Sequence, residues 1–436
     1  MNERYHRRYL LVILLTTLAF NYVDRLALGL VMQDLKVDLH LSDTQLGLLT
    51  GFAFAAFYSA MGIPIARWAD RGDRITILAV TTGLWCAMVA LCGAARTFGQ
   101  LLLIRVGVAV GEAGCIPPAH SLIADHFPRA ERPRATAVFM LGGALSVVIG
   151  YFGAGWLNQL YGWRMMFVLL GLPGLVLAAL TRLTLRDPRR SAVAAPAEPE
   201  PSLREVCSTL WRIPTFRHLL LAFSVLFLLA YGFSQWSAAF FVRIHGIKTG
   251  ELGTWFTVIF GLSGAIGVLG GGEIASRFAA NDERLQLRAL VVLLGLMFIV
   301  RPFTYLVSSY QLALAIMVPS ALIGAVGDGP LFAVIQTLVP ARLRAMSIAL
   351  IYLVANLVGM GLGPFAIGLL SDALRPWAGE SSLRYALVAF CPVYLWAMWH
   401  LWRASETVTA DLQAARIDRR EDRGAALFQD RRRYTI

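Results

Sequence analysis

The chain has 436 residues, 57% of them hydrophobic and only 15% charged, with a mean hydropathy of +0.63. Soluble domains carry about a quarter charged residues, so this composition excludes a water-soluble globule. The net charge of +12 is weighed first against membrane topology, where basic residues gather on the cytoplasmic side, and not as a sign of nucleic acid.

Apolar stretches of about 20 residues span a bilayer core at about 1.5 Å per residue. Twelve occur, at 9–33, 44–66, 75–95, 99–121, 135–157, 164–184, 216–240, 251–274, 288–307, 310–335, 345–370 and 384–402, which predicts an all-α membrane protein. Helix one is too long for a signal-peptide core, carries Asp24 and Arg25 and lacks a small-residue cleavage site, so it is expected to be retained. Its run Asn21-Tyr22-Val23-Asp24-Arg25 puts Asn21 three and four residues before the acid and the base, on one face. Helix two ends in a charged turn, Asp70-Arg71-Gly72-Asp73-Arg74. Two readings stay open for it: ordinary cytoplasmic charge, or a conformational latch in which Asp70 accepts hydrogen bonds from a helix N-terminus or a nearby arginine. Arg71, Arg74 and, in the second half, Arg277 belong to that latch set.

In helix four, Arg105 and Glu112 are seven residues apart and share a face, and Pro117-Pro118 should kink or break the helix. Ionisable side chains at membrane depth cost about 2.5–3.5 kcal/mol each, so Asp24, Arg25, Arg105, Glu112 and Asp328 of helix ten each need a partner, a cavity or a function. Asn21 and Asn356 are grouped with Arg25, Arg105 and Asp328 as a substrate-cavity and charge network. A static ion-pair cluster is one reading. Against it, Glu112 lies between Gly111 and Ala113, where small neighbours permit movement. A carboxylate contested between burial and an arginine suits proton coupling, which makes Asp24 and Glu112 the coupling candidates.

Residues 186–201 read RDPRRSAVAAPAEPEP, the one stretch with linker composition. The predicted organisation is a six-helix bundle over 1–185, a cytoplasmic linker over 186–215, a second bundle over 216–402 and a basic cytoplasmic tail over 403–436. The halves echo each other: Val110-Gly111-Glu112 in helix four against Val326-Gly327-Asp328 in helix ten, and glycine-rich runs in helices five and eleven that include Gly150 and Gly155, then Gly363 and Gly368. Such repetition points to two pseudo-symmetric bundles with a site between them. The glycines, Gly359 and Gly363 among them, are expected to let backbones touch.

With both termini placed in the cytoplasm, 29 basic residues fall inside, seven outside and three within helices, the positive-inside pattern. No G-x-x-x-x-G-K-[ST], H-E-x-x-H, C-x-x-C or G-x-S-x-G occurs, the five cysteines read as small apolar residues and the seven histidines have no ligand spacing. No enzyme activity, cofactor or metal is expected.

Asp70, Arg71 and Arg74 resemble the loop pattern G-x-x-x-D-R-x-G-R of the major facilitator superfamily, with Ala66 and Asp73 in glycine positions and Ser276 where the second half often has Asp. The helix-one N-Y-x-D-R, here Asn21 to Arg25, and the helix-four Arg105, Gly111, Glu112 and Ala113 resemble its spinster-like branch. The resemblance implies alternating access with Asp24 and Glu112 in proton coupling, and carriage of a lysolipid or sphingoid-type solute. The expectation is a monomeric, proton-coupled secondary transporter of the cell (inner) membrane, with protons, a lipid-like solute and membrane lipids as partners and no nucleic acid. The alternatives are an uncoupled facilitator, a drug or metabolite exporter, or a non-transporting receptor or scaffold.

Overall fold

A computed structural model describes residues 3–187, 203–278, 282–326, 328–339 and 343–433, and among these every regular element is helical. Most of the 186–201 stretch, at 188–201, lies outside the described residues, as do the side chains of Asp70, Ser276 and Asp328. Nine described helical stretches are long and apolar enough to cross a membrane. Two of them, of 53 and 69 residues, hold two crossings each, turning at Gly162 (φ 77°) and Gly379 (φ 56°), where only glycine adopts the backbone at no cost. Tyr310–Val326 is a shorter apolar helix, which brings the crossings to twelve.

Helix one is Glu3–Leu30. Helix two opens on a capping box, in which Ser42 and Gln45 each bond the other's backbone N–H, and runs as Asp43–Thr50 and Phe52–Arg71 about Gly51. Asp73 caps helix three, Arg74–Cys92, by accepting from Ile75 and Thr76 N–H. Helix four comes in two pieces, Phe98–Glu112 and Ile116–His126. The expected break therefore falls just before Pro117-Pro118, because prolines without a donor fit the first turn of the new segment.

Helices five and eleven, counterparts in the two halves, each contain a π-helical turn, Val148–Gly153 and Asn356–Met360. Helix seven, Pro214–His245, ends on a left-handed Gly246. Helix nine, Glu283–Leu306, is capped by Asp282. Helix twelve includes Val393–Arg433, so most of the basic tail continues it as one helix.

Twelve alternating crossings put both chain termini at one end of the bundle, called here the terminal end. At the opposite, far end the halves meet so closely that side chains are excluded. A Cβ on Gly47 would lie 2.5 Å from Pro364 O, one on Gly51 2.6 Å from Gly361 O, and one on Gly155 2.5 Å from Thr249 O. A single apolar core runs through both halves here, including Leu46, Leu49, Trp236 and Ile367. Toward the terminal end the second half has a separate core built on Phe216, Leu219, Leu338 and Leu401. The expected glycine contacts hold within that half too, where Gly359 packs on Phe227 and Gly363 on Leu228 of helix seven.

Candidate functional site

The helix-one and helix-four ionisable residues form one buried cluster with crossed pairing. Arg25 of helix one donates from Nε and Nη2 to Glu112 Oε2 of helix four, at 2.9 and 2.5 Å. Arg105 of helix four donates to Asp24 Oδ2 of helix one. Asn21 ties the cluster to the end of the first helix-four segment by donating to Glu112 O at 3.2 Å. Asp24, Arg105 and Glu112 are at most 1% exposed. Asp24 Oδ1 and Glu112 Oε1 are both buried with no donor among the described residues.

An aromatic cage surrounds the bases. The Arg25 guanidinium stands 5.2, 4.6 and 5.0 Å from the ring centres of Tyr22, Phe54 and Tyr58, and that of Arg105 stands 5.1 Å from Phe54. Phe54, which is buried, and Tyr22 and Tyr58, which are partly so, can hold a guanidinium whose carboxylate has been neutralised, at about 0.5–2 kcal/mol for a favourable contact. Asn356 lies in the π-turn of helix eleven, partly buried, and takes no part in the cluster.

Around the terminal-end loop, Arg74 is fully buried and bound to Asp187, just beyond helix six, at 2.5–2.9 Å, to Asp125 of helix four at 2.7 Å and to Ser121. Neither Asp125 nor Asp187 stands out in the sequence, because an acid at a helix end costs nothing unusual. Arg71 is exposed. Arg277 makes an exposed pair with Glu273 on its own helix, 2.5 Å apart.

A second polar site, missed from the sequence, clasps the halves together at the far end. Asp43, 1% exposed, receives two hydrogen bonds of 2.8 Å from Arg243 of helix seven, one of 2.5 Å from Lys36 and one of 2.6 Å from Ser371 of helix eleven. Asp372 in return accepts from the N–H groups of Asp43 and Thr44 at 3.0 and 2.7 Å. On the other side of this closure Asn158 donates to Asp34 at 2.6 Å and to Thr249 at 3.1 Å. Burial pushes the Asp34 carboxyl up, and the Asn158 hydrogen bond draws it back. The available signal was Lys36 and Arg243 themselves, two of only seven basic residues on the side predicted to be poor in them.

Within the second half lies a cavity of about 390 Å3, lined mainly by apolar side chains of helices seven, nine and ten. Tyr231 lines it and also a small pocket shared with Arg25 and Arg105. Phe233 lines it as well, while Trp236 is buried and donates to Pro364 O at 2.8 Å.

A family model for the Major Facilitator Superfamily matches residues 14–364. An MFS-type efflux pump of Mycolicibacterium smegmatis is 35% identical over 84% of this chain and 85% of its own. Protein spinster homolog 1 of Xenopus tropicalis is 26% identical over 88% and 77%. A bacterial homolog to the human lysosomal transporter spinster, solved inward-facing and unoccupied, superposes with a TM-score of 0.82 at 28% identity, covering 93% of this chain and 98% of that one. Together with the crossed charges on helices one and four and the two-bundle fold, these matches establish that the chain belongs to the Major Facilitator Superfamily, in its spinster-like branch, and is a membrane transporter and not an enzyme.

Proposed function

We propose that this chain is a proton-coupled alternating-access carrier of an amphipathic, lipid-like solute, with Asp24 and Glu112 as the groups that exchange protons. The observation that carries the reading is the pair of buried, donor-less carboxylate oxygens, Asp24 Oδ1 and Glu112 Oε1, within one crossed ion-pair cluster. A buried acceptor without a donor costs about 1–3 kcal/mol, and a single proton between the two acids removes that cost. The cage of Tyr22, Phe54 and Tyr58 then keeps Arg25 satisfied while Glu112 is neutral.

The closed far end is read as the extracellular gate and the terminal end as cytoplasmic, in the cell (inner) membrane, from the basic-residue count. Asp70, Arg71 and Arg74 are proposed as the latch of the first half, supported by the tight seating of Arg74 between Asp125 and Asp187. The largely apolar cavity supports an amphipathic cargo. A drug or metabolite exporter is the second reading, favoured by the similarity to an efflux pump. Proteoliposomes with an imposed pH gradient, offered lysolipids, sphingoid bases and common drugs, test the function. Gradient-dependent uptake of a lipid-like solute is expected, and uptake indifferent to the gradient removes the coupling.

A further inference from the structure

Two buried polar atoms at the meeting of the halves have no partner among the described residues, and they complement each other. Arg105 uses Nη1 on Asp24, but its Nε–H reaches no acceptor, and Gln235 Oε1 of helix seven receives no donor. Arg105 is 1% exposed and Gln235 6%, so bulk solvent answers neither atom. An arginine Nε can only donate and an amide oxygen can only accept, and buried polar groups left unanswered are rare in folded proteins.

Both residues line the same small cavity, of about 10 Å3, the room that one water takes. Its walls come from both halves, with Arg25, Phe54 and Arg105 from the first and Tyr231, Gln235 and Met360 from the second. The hydroxyl of Thr50, also on the wall, donates to Leu46 O at 2.9 Å and can accept a third contact from that water. Gly29, one turn beyond Arg25 on helix one, makes the seat, because a Cβ there would lie 2.6 Å from Gln235 Oε1. Helix seven thus rests an amide on helix one, beside a guanidinium whose other end holds Asp24.

We infer that Gln235 is the residue through which the second half reads the protonation of the first-half cluster, its amide oxygen joined to Arg105 Nε by one ordered water. The inference rests on the proposed proton coupling and adds to it the link across the halves. Arg105 is shared between Asp24 on Nη1 and the water of Gln235 on Nε. An ionised Asp24 holds the guanidinium by a charge-assisted bond; once Asp24 takes a proton that hold weakens, and the Gln235 side gains. Helix seven carries the change onward, because Tyr231, one turn before Gln235, lines both this cavity and the larger one of the second half. Tyr22, Tyr58, Tyr231, Cys86, Cys92 and Cys115 also face the cluster. Such groups ordinarily ionise at about 8.5–10 and arginines stay charged, which leaves Asp24 and Glu112 to answer a pH step near neutrality.

The test is the distance between spin labels on Val37→Cys and Ser308→Cys, exposed positions on far-end connections of the two halves. It is measured on the full chain in phosphatidylcholine nanodiscs, with Cys207→Ser removing the exposed native thiol. Far-end opening lengthens this distance, so the populations report the state of the carrier without any cargo. The proposed coupling makes their ratio titrate between about pH 5 and pH 8. Gln235→Met keeps the length and loses the acceptor, so Arg105 leans on Asp24 alone. The midpoint should fall by at least about half a pH unit, the scale of one hydrogen bond to a charged group. Gln235→Glu competes with Asp24 for Arg105 and should raise the midpoint. Gly29→Ala, which displaces the amide and alters no charge, should act as Gln235→Met does. Monodisperse Gln235→Met and Gly29→Ala proteins with the wild-type midpoint overturn the link and leave the coupling standing. Shifts of the same sign in both Gln235 variants, the mark of lost packing, overturn it too. A wild-type ratio that does not titrate overturns the coupling and the link with it.

Discussion

Arg74 and Arg25 are both buried arginines, yet their surroundings ask opposite things of them. Among the described residues, Arg74 has two acids and a serine on it and no aromatic ring. Removing Asp187 leaves a buried cation underpaired, so Asp187→Ala should destabilise the folded protein by about 3 kcal/mol, read as an earlier thermal melt in detergent. A melt unchanged from wild type would mean that the pair is replaced by water at no cost. Arg25 has one acid and three rings, so it should tolerate neutralisation far better. The sequence displayed Asp24, Arg25, Arg105 and Glu112 because charge is anomalous inside an apolar run. It could not display which base meets which acid, since the crossed pairing depends on how helices one and four are rotated, nor Asp187, which stands in a charged loop and looks ordinary there.

At the scale of elements, the far-end closure combines glycine contacts with the Asp43 clasp. Asp43→Asn removes the charge-assisted part of the bonds from Arg243 and Lys36 and leaves two neighbouring cations to repel each other. The variant should shift toward the state open at the far end. A cysteine at Thr50, 6% exposed behind the clasp, reports this with an impermeant thiol reagent, and several-fold faster labelling is expected. Gly51→Leu should act in the same direction by steric means, since even its Cβ would meet Gly361 O. Unchanged labelling in both variants would show that the clasp does not govern the closure. The helices themselves were readable from apolar length and the helix-four break from its prolines. The clasp was not, because Asp43 and Arg243 are 200 residues apart and each sits at a helix end where a charge is normal.

For the whole molecule, the internal echo between halves carried the two-bundle architecture, and the matching π-turns of helices five and eleven repeat it in three dimensions. Orientation is open to a direct check. In a Cys207→Ser background, Cys207 being the exposed native cysteine, a Ser191→Cys thiol should be silent to impermeant reagent outside intact cells and react once they are opened. Reaction from outside would invert the protein and with it the assignment of the gate.

The account as a whole turns on whether the helix-one and helix-four acids move protons or only hold helices together. Glu112→Gln separates the two, because the amide keeps the shape and still accepts from Arg25 but cannot titrate. Folded yield and pH-gradient-driven transport are to be measured on the same purified samples. The account predicts yield close to wild type, the rings holding Arg25, with gradient-driven accumulation abolished. Transport at the wild-type rate with an unaltered pH profile would contradict it, and so would loss of folded protein in step with loss of transport.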